Sequence, residues 1–98
     1  MAPEIIRGEK YSTSVDIWAT AIVAYVALSG RPVFEGESDF EIFANILCLN
    51  YEFPPEEWDY ISLLARSFIE SILVEDPDKR PNAPQALQHQ WIISRERF

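Results

Sequence analysis

The sequence predicts an all-α fold of about four helices, on three observations. Apolar residues recur at helical spacing, Gly and Pro cut the chain between the apolar segments, and side chains able to cap a helix stand where those segments begin. With 98 residues, 48% of them apolar and 13% aromatic, the chain suits one compact domain rather than a disordered tail. A domain of this size buries only about 60 to 70% of its unfolded surface, so it depends on well-packed helices or on a partner.

The first helix is read from Ser12-Thr13-Ser14, whose hydroxyls can cap, through an apolar run from Ile17 to Leu28 broken only by Thr20. Asp16 places negative charge near its positive end, and Gly30 supplies the stop. Such a helix is apolar on nearly every face and expects to be surrounded by protein. A membrane span needs about 20 apolar residues, and Ser29-Gly30-Arg31-Pro32 closes this run well short of that.

The second helix begins at Ser38-Asp39, where Ser38 caps and Glu41 stands three residues later as in a capping box. Phe40, Ile42, Phe43, Ile46 and Leu47 supply its apolar faces, and it ends near Asn50. Tyr51-Glu52-Phe53-Pro54-Pro55 reads as an extended connector, because Pro restricts the residue before it and cannot continue a helix. The third helix covers Ser62 to Leu73 or Val74, with Leu63, Leu64, Phe68, Ile69, Ile72 and Leu73 in one broad stripe. Asp76-Pro77-Asp78 turns the chain. A short fourth helix runs from about Pro84 to His89, with Asn82 or Ala83 near its start, and Trp91, Ile92 and Ile93 form a last apolar plug.

Sixteen acidic residues against eight basic ones give a net charge of −8, and no run of Lys or Arg occurs, which argues against nucleic acid as a partner. The acidity reads as a solvated surface, with attraction to basic peptides as the sharper alternative. Cys48 is the only cysteine. It excludes an internal disulfide and a cysteine-rich zinc site, fits a reducing, cytoplasmic compartment, and is expected to be a buried, inert thiol. Met1-Ala2-Pro3-Glu4 does not read as a secretory signal.

Three stretches in fixed order carry a resemblance. They are Ala2-Pro3-Glu4; then Ser14-Val15-Asp16-Ile17-Trp18 with its apolar run into Gly30-Arg31-Pro32-Val33-Phe34; then Asp76-Pro77-Asp78-Lys79-Arg80-Pro81 followed by His89-Gln90-Trp91. Together they resemble the closing part of the eukaryotic protein kinase domain, from its Ala-Pro-Glu motif to its last helices. Any one of them is a weak signal; three in order at family spacing are specific. Phe34-Glu35-Gly36-Glu37-Ser38, Phe43-Ala44-Asn45-Ile46 and Tyr51-Glu52-Phe53 narrow the resemblance to the calcium/calmodulin-dependent group, especially its death-associated and myosin light chain kinase branches.

The resemblance implies that residues 1–98 are a partial kinase domain, the helical part of the large lobe, incomplete without the nucleotide-binding lobe. It implies structural roles for Glu4, Asp16, Trp18, Arg80 and Trp91. Arg80 would pair with Glu4, tying the end of the activation segment to the last helices through a charge-assisted contact, and Asp16 would hold the backbone of the catalytic loop. Three departures stand out. Ala21 replaces the Gly of Asp-x-Trp-x-x-Gly, Gln90 replaces the Pro between His and Trp, and Val26 stands where some kinases of basic substrates carry an acid.

Kinase chemistry needs a Gly-rich loop, a strand Lys paired to a helix Glu, a catalytic Asp with a nearby Asn, and an Asp-Phe-Gly metal site. None is in this sequence, and in kinases all of them precede Ala2. His89 has no nucleophile partner in sequence context and reads as a helix-end residue. The acid pairs Glu56-Glu57 and Glu75-Asp76 read as solvated charge at turns rather than as a metal or acid/base site. No catalytic, cofactor-binding or metal-ligating residue is therefore assigned. The chain by itself is expected to be inactive, with Mg-ATP used only by the complete domain.

Two accounts of function follow. In the first, the chain is the helical floor of an active serine/threonine kinase, with protein substrates or regulators docking on it. In the second, it is a stand-alone, non-catalytic interaction or scaffold module. There the apolar helix from Ile17 to Leu28 lacks neighbours and invites self-association or a partner.

Overall fold

The computed structural model describes residues 1–10 and 13–95. Among them the order is α1 (Pro3–Ile6), α2 (Ser14–Ser29), α3 (Asp39–Leu47), α4 (Pro55–Trp58) and α5 (Leu63–Ile72), then a 3-10 turn at Pro77–Lys79, α6 (Ala83–Leu87) and α7 (Gln90–Arg95). No strand occurs among the described residues, so the all-α expectation holds. The four helices read from the sequence are α2, α3, α5 and α6. The other three are short: α1 and α4 have four residues each and α7 has six. Two of them start at a Pro in the first helical position, where a missing N–H costs nothing.

Local chemistry sets most of the boundaries. Gly30 closes α2 with φ 76, and its N–H reaches the Val26 carbonyl at 2.8 Å. Ser62 Oγ caps α5 by accepting the Ala65 N–H at 3.1 Å. Asn82 and Gln85 form a full capping box at the start of α6, with bonds of 2.9 and 2.8 Å. At α3, Ser38 Oγ accepts the Glu41 N–H at 3.2 Å, but the Glu41 carboxylate reaches back to the Glu37 N–H, one residue before the cap. The expected box is thus displaced by one position.

The end of α3 falls at Leu47, earlier than the sequence suggested, through a Schellman closure. The Asn50 N–H bonds the Asn45 carbonyl at 2.8 Å and the Leu49 N–H bonds the Ile46 carbonyl at 3.1 Å. Leu49 occupies the left-handed position, φ 52, where Gly or Asn is usual. Its half-buried side chain packs on the core, which offsets the backbone strain.

The central pair is α2 against α5. Trp18, Ala21 and Tyr25 of α2 meet Phe68, Ile69 and Ile72 of α5 in one apolar core, completed by Ile46, Trp58, Val33, Phe34 and Leu73. A chain of rings runs through it: Trp18 stacks on Phe34 at 6.1 Å, Phe34 meets Tyr51, Tyr51 meets Phe53, Phe53 meets Trp58 at 4.7 Å, and Trp58 meets Tyr25 at 4.9 Å. Edge and tilted geometries of this kind add to burial. Tyr51 and Phe53 enter together because alternate residues of an extended segment share a face.

The extents are 42 × 32 × 15 Å, which leaves room for two helix layers at most. At that thickness α2 is not surrounded within residues 1–98. One face of α2 is buried, while Ala19, Val23 and Val26 on the other meet solvent, Val23 at 66% and Val26 at 42% exposure. No described helix is long and apolar enough to cross a membrane.

Three further expectations are corrected. Cys48 is exposed, because it caps the C-terminal end of α3 on the solvent side of the slab. Thr13 makes no side-chain cap on α2, and the Ser14 hydroxyl turns instead toward Glu4 at 3.5 Å; the third hydroxyl of that group, Ser12, lies outside the described residues. Glu57 is not simply solvated at a turn, since it lies in α4 and pairs with Arg31 at 2.8 Å.

Candidate functional site

The N-terminal segment and the turn after α5 meet at a buried ion pair. Glu4 lies in α1 with 1% of its surface exposed, and Arg80, which follows the 3-10 turn, has 6%. Arg80 Nη1 donates to Glu4 Oε2 at 2.6 Å and Nη2 donates to Oε1 at 2.8 Å, a parallel fork of charge-assisted bonds.

The rest of the guanidinium is also satisfied. Nε donates to the Val74 carbonyl at 3.1 Å, Nη2 to the Glu75 carbonyl at 3.4 Å, and Nη1 to the Ser14 carbonyl at 3.5 Å. A guanidinium has five N–H donors in a fixed fork, and each finds an acceptor here. One face of the cation lies over the Trp18 indole, 4.8 Å from the ring centroid. Arg80 therefore joins four points of the chain: α1, the start of α2, the segment just after α5 and its own turn.

Burial raises the Glu4 carboxyl, but the Arg80 hydrogen bonds, Glu4's own backbone N–H, the Arg80 charge and the Ser14 hydroxyl outweigh it. The net effect holds Glu4 below the ordinary carboxylate range. With both charged groups saturated by fixed partners, the cluster is a clamp and has no free group to move a proton or attack a substrate. A second, exposed tie runs beside it, from Arg7 Nη1 to Glu75 at 3.1 Å.

Of the residues singled out in the sequence, Glu4, Trp18 and Arg80 come together in this cluster. Asp16 lies nearby in the sequence but points to solvent in the first turn of α2, and its carboxylate has no partner among the described residues. Trp91 belongs to a different cluster, with its ring 5.1 Å from Phe68. Ala21 is wholly buried at the helix pair. The carbonyls of Ser14, Val74 and Glu75 and the Arg7–Glu75 tie were missed. A carbonyl acceptor leaves no mark in side-chain identity, and nothing in the spacing of Arg7 and Glu75 announces a contact across the chain.

The residues present do not fit Mg-ATP. Among the described residues no group of three His, Cys, Asp or Glu side chains converges to hold a metal ion, and the sequence has no Gly-x-Gly loop to cradle phosphates.

A helical slab closed by an Arg–Glu clamp over a Trp, with the three motifs in order, is the pattern of a kinase large lobe. Comparison with known proteins agrees, since residues 1–92 match the protein kinase domain family. The chain belongs to that family. It is 46% identical over 92 residues to calcium/calmodulin-dependent protein kinase type 1B of Rattus norvegicus, covering 94% of this chain and 27% of that protein. It is 44% identical over 94 residues to myosin light chain kinase A of Dictyostelium discoideum, covering 96% of this chain and 32% of the relative. Its fold matches the twitchin kinase region from C. elegans with a TM-score of 0.89 at 32% identity, over 93% of this chain and 16% of that one. The resemblance to the calcium/calmodulin-dependent group therefore holds, and the chain spans a third or less of each of these proteins.

Proposed function

We propose that residues 1–98 form the C-terminal, helical part of the large lobe of a serine/threonine protein kinase domain. The complete domain would phosphorylate proteins with Mg-ATP, in the cytoplasm, and this chain alone is inactive. The observation that carries the reading is the Glu4–Arg80 clamp on Trp18, which ties the Ala-Pro-Glu segment to the turn after α5. In this reading Glu4, Trp18 and Arg80 hold the end of the activation segment. Asp16, facing solvent in the first turn of α2, is left to anchor a backbone segment outside this chain, and Trp91 packs the last helix on α5. Protein substrates or regulators would dock on the helical surface.

A second reading is favoured by one observation, the apolar surface formed by Met1 at 62% exposure with Val23 and Val26. A chain that occurs alone with that surface would act as a non-catalytic interaction module, through self-association or a partner.

The test is the intact mass of the cellular product captured with antibodies against this segment, followed by a Mg-ATP phosphotransfer assay. A product several times heavier than 11.3 kDa that transfers phosphate supports the first reading. A product near 11.3 kDa without transferase activity supports the second.

A further inference from the structure

The last helix begins at an unusual cap. His89 lies between α6 and α7, and its Nδ1 accepts the backbone N–H of Trp91 at 3.0 Å. Its carbonyl accepts the Ile93 N–H at 3.1 Å, the first bond of α7. His89 thus occupies the N-cap position, where Ser, Thr, Asp or Asn is usual.

The same ring is fixed on its other side. Its Nε2 lies 3.3 Å from Ser67 Oγ, and its plane stands edge-on to Phe68 at 5.4 Å. Because Nδ1 must be the acceptor, the proton of the neutral ring sits on Nε2 and is donated to Ser67. Phe68 also meets the Trp91 ring at 5.1 Å, so cap and packing hold the same six-residue helix against α5. A helix that short has no stability of its own.

We propose that His89 is a pH-responsive cap: the neutral imidazole holds the start of α7 on α5, and protonation at Nδ1 releases it. An imidazolium has two N–H donors and no acceptor, so the Trp91 N–H would face another donor. The ring would have to turn away, giving up the Ser67 and Phe68 contacts with the cap. From α5, Ser67 meets the ring by a hydrogen bond and Phe68 by its edge, both uncharged, and Ser71 lines the same cleft. The cleft that His89 shares is lined by Gln85 of α6, by Gln88 just after that helix, and by Asp78, Lys79 and Arg80. The Arg80 donors are already committed to Glu4 and the Val74 carbonyl, which leaves Asp78 and Lys79, of opposite charge, as the titratable groups of that cleft.

The test is an NMR titration of the whole chain from pH 8 to pH 5, where imidazoles protonate. His89 is the only histidine, so its ring signal is unambiguous. The expected result is a Trp91 amide signal that titrates with the His89 ring, and amide protection at Ile93 that falls about fivefold or more, the equivalent of losing one cap. Protection at Ile69 in the core serves as the control and should stay unchanged. His89→Asn, a neutral cap, should keep Ile93 protected at both ends of the range, and His89→Ala should leave it weakly protected throughout. The proposal is overturned if Ile93 protection is constant through the His89 titration, or if His89→Asn shows the same pH-dependent loss. The wild-type titration decides the matter even if a variant does not fold.

Discussion

Arg80 lies with its guanidinium 4.8 Å from the Trp18 ring centroid while both of its terminal nitrogens grip Glu4. An aromatic face and a carboxylate thus converge on one cation, and residues 76 positions apart in the chain become a single unit. A buried pair of this kind is weak evidence of net stabilisation, but breaking it on one side is costly because it strands a charge in the interior.

Glu4→Ala and Arg80→Ala are each expected to destabilise the chain by about 3 to 5 kcal/mol, and the double variant by clearly less than the sum. Denaturant melts of the three variants check this. Strict additivity would show that the two side chains do not act together.

The Glu4 carboxyl is held below its ordinary range, so its contribution has a defined sign with pH. A depressed folded value stabilises above the unfolded value, about 4.3 for a glutamate, and that stabilisation is lost as pH falls through the folded value. The urea midpoint of the wild-type chain should therefore fall as the pH drops below about 4. Glu4→Gln should start lower and lose the Glu4 part of that slope. An identical acid profile in both proteins would remove Glu4 as its source.

Much of this arrangement was legible from the residues. Gly30, Ser62 and Asn82 mark their helix ends because each satisfies a local backbone need that is visible in a window of a few residues. The pairing of Glu4 with Arg80 came only from the family resemblance, since no local rule links positions so far apart. What the sequence hid depends on three dimensions. The exposure of Cys48 and of the second face of α2 follows from the thickness of the slab, and composition does not encode thickness. The helices α1 and α4 are a single turn each, too short to show a period. The ring chain through Tyr51 and Phe53 was hidden inside a segment that reads as a connector.

That connector also contributes a tie of its own. Tyr25 donates its hydroxyl to the Glu52 carbonyl at 2.6 Å, fastening the extended segment to α2. Tyr25→Phe keeps the ring packing and strands the carbonyl, which is expected to cost about 1 to 2 kcal/mol. Thermal melts check the size, and faster amide exchange around Tyr51 should accompany it. A loss within about 0.3 kcal/mol of zero would mean that water replaces the hydroxyl without cost.

The open face of α2 gives the last prediction. Met1, Ile5, Val15, Ala19, Ile22 and Val23 line a shallow apolar groove beside Trp18, and Val23 stands 66% exposed at its edge. Leaving such a surface in water is unfavourable by about 25 cal/mol per Å² of apolar area, so the isolated chain should associate as its concentration rises. Sedimentation velocity over a range of concentrations reads this directly. Val23→Lys removes no buried contact and places a like charge on each copy, so it should shift the chain toward monomer with stability changed by no more than about 0.5 kcal/mol. A wild-type chain that stays monomeric at every concentration would show that this face tolerates water, and would leave the two-layer slab sufficient by itself.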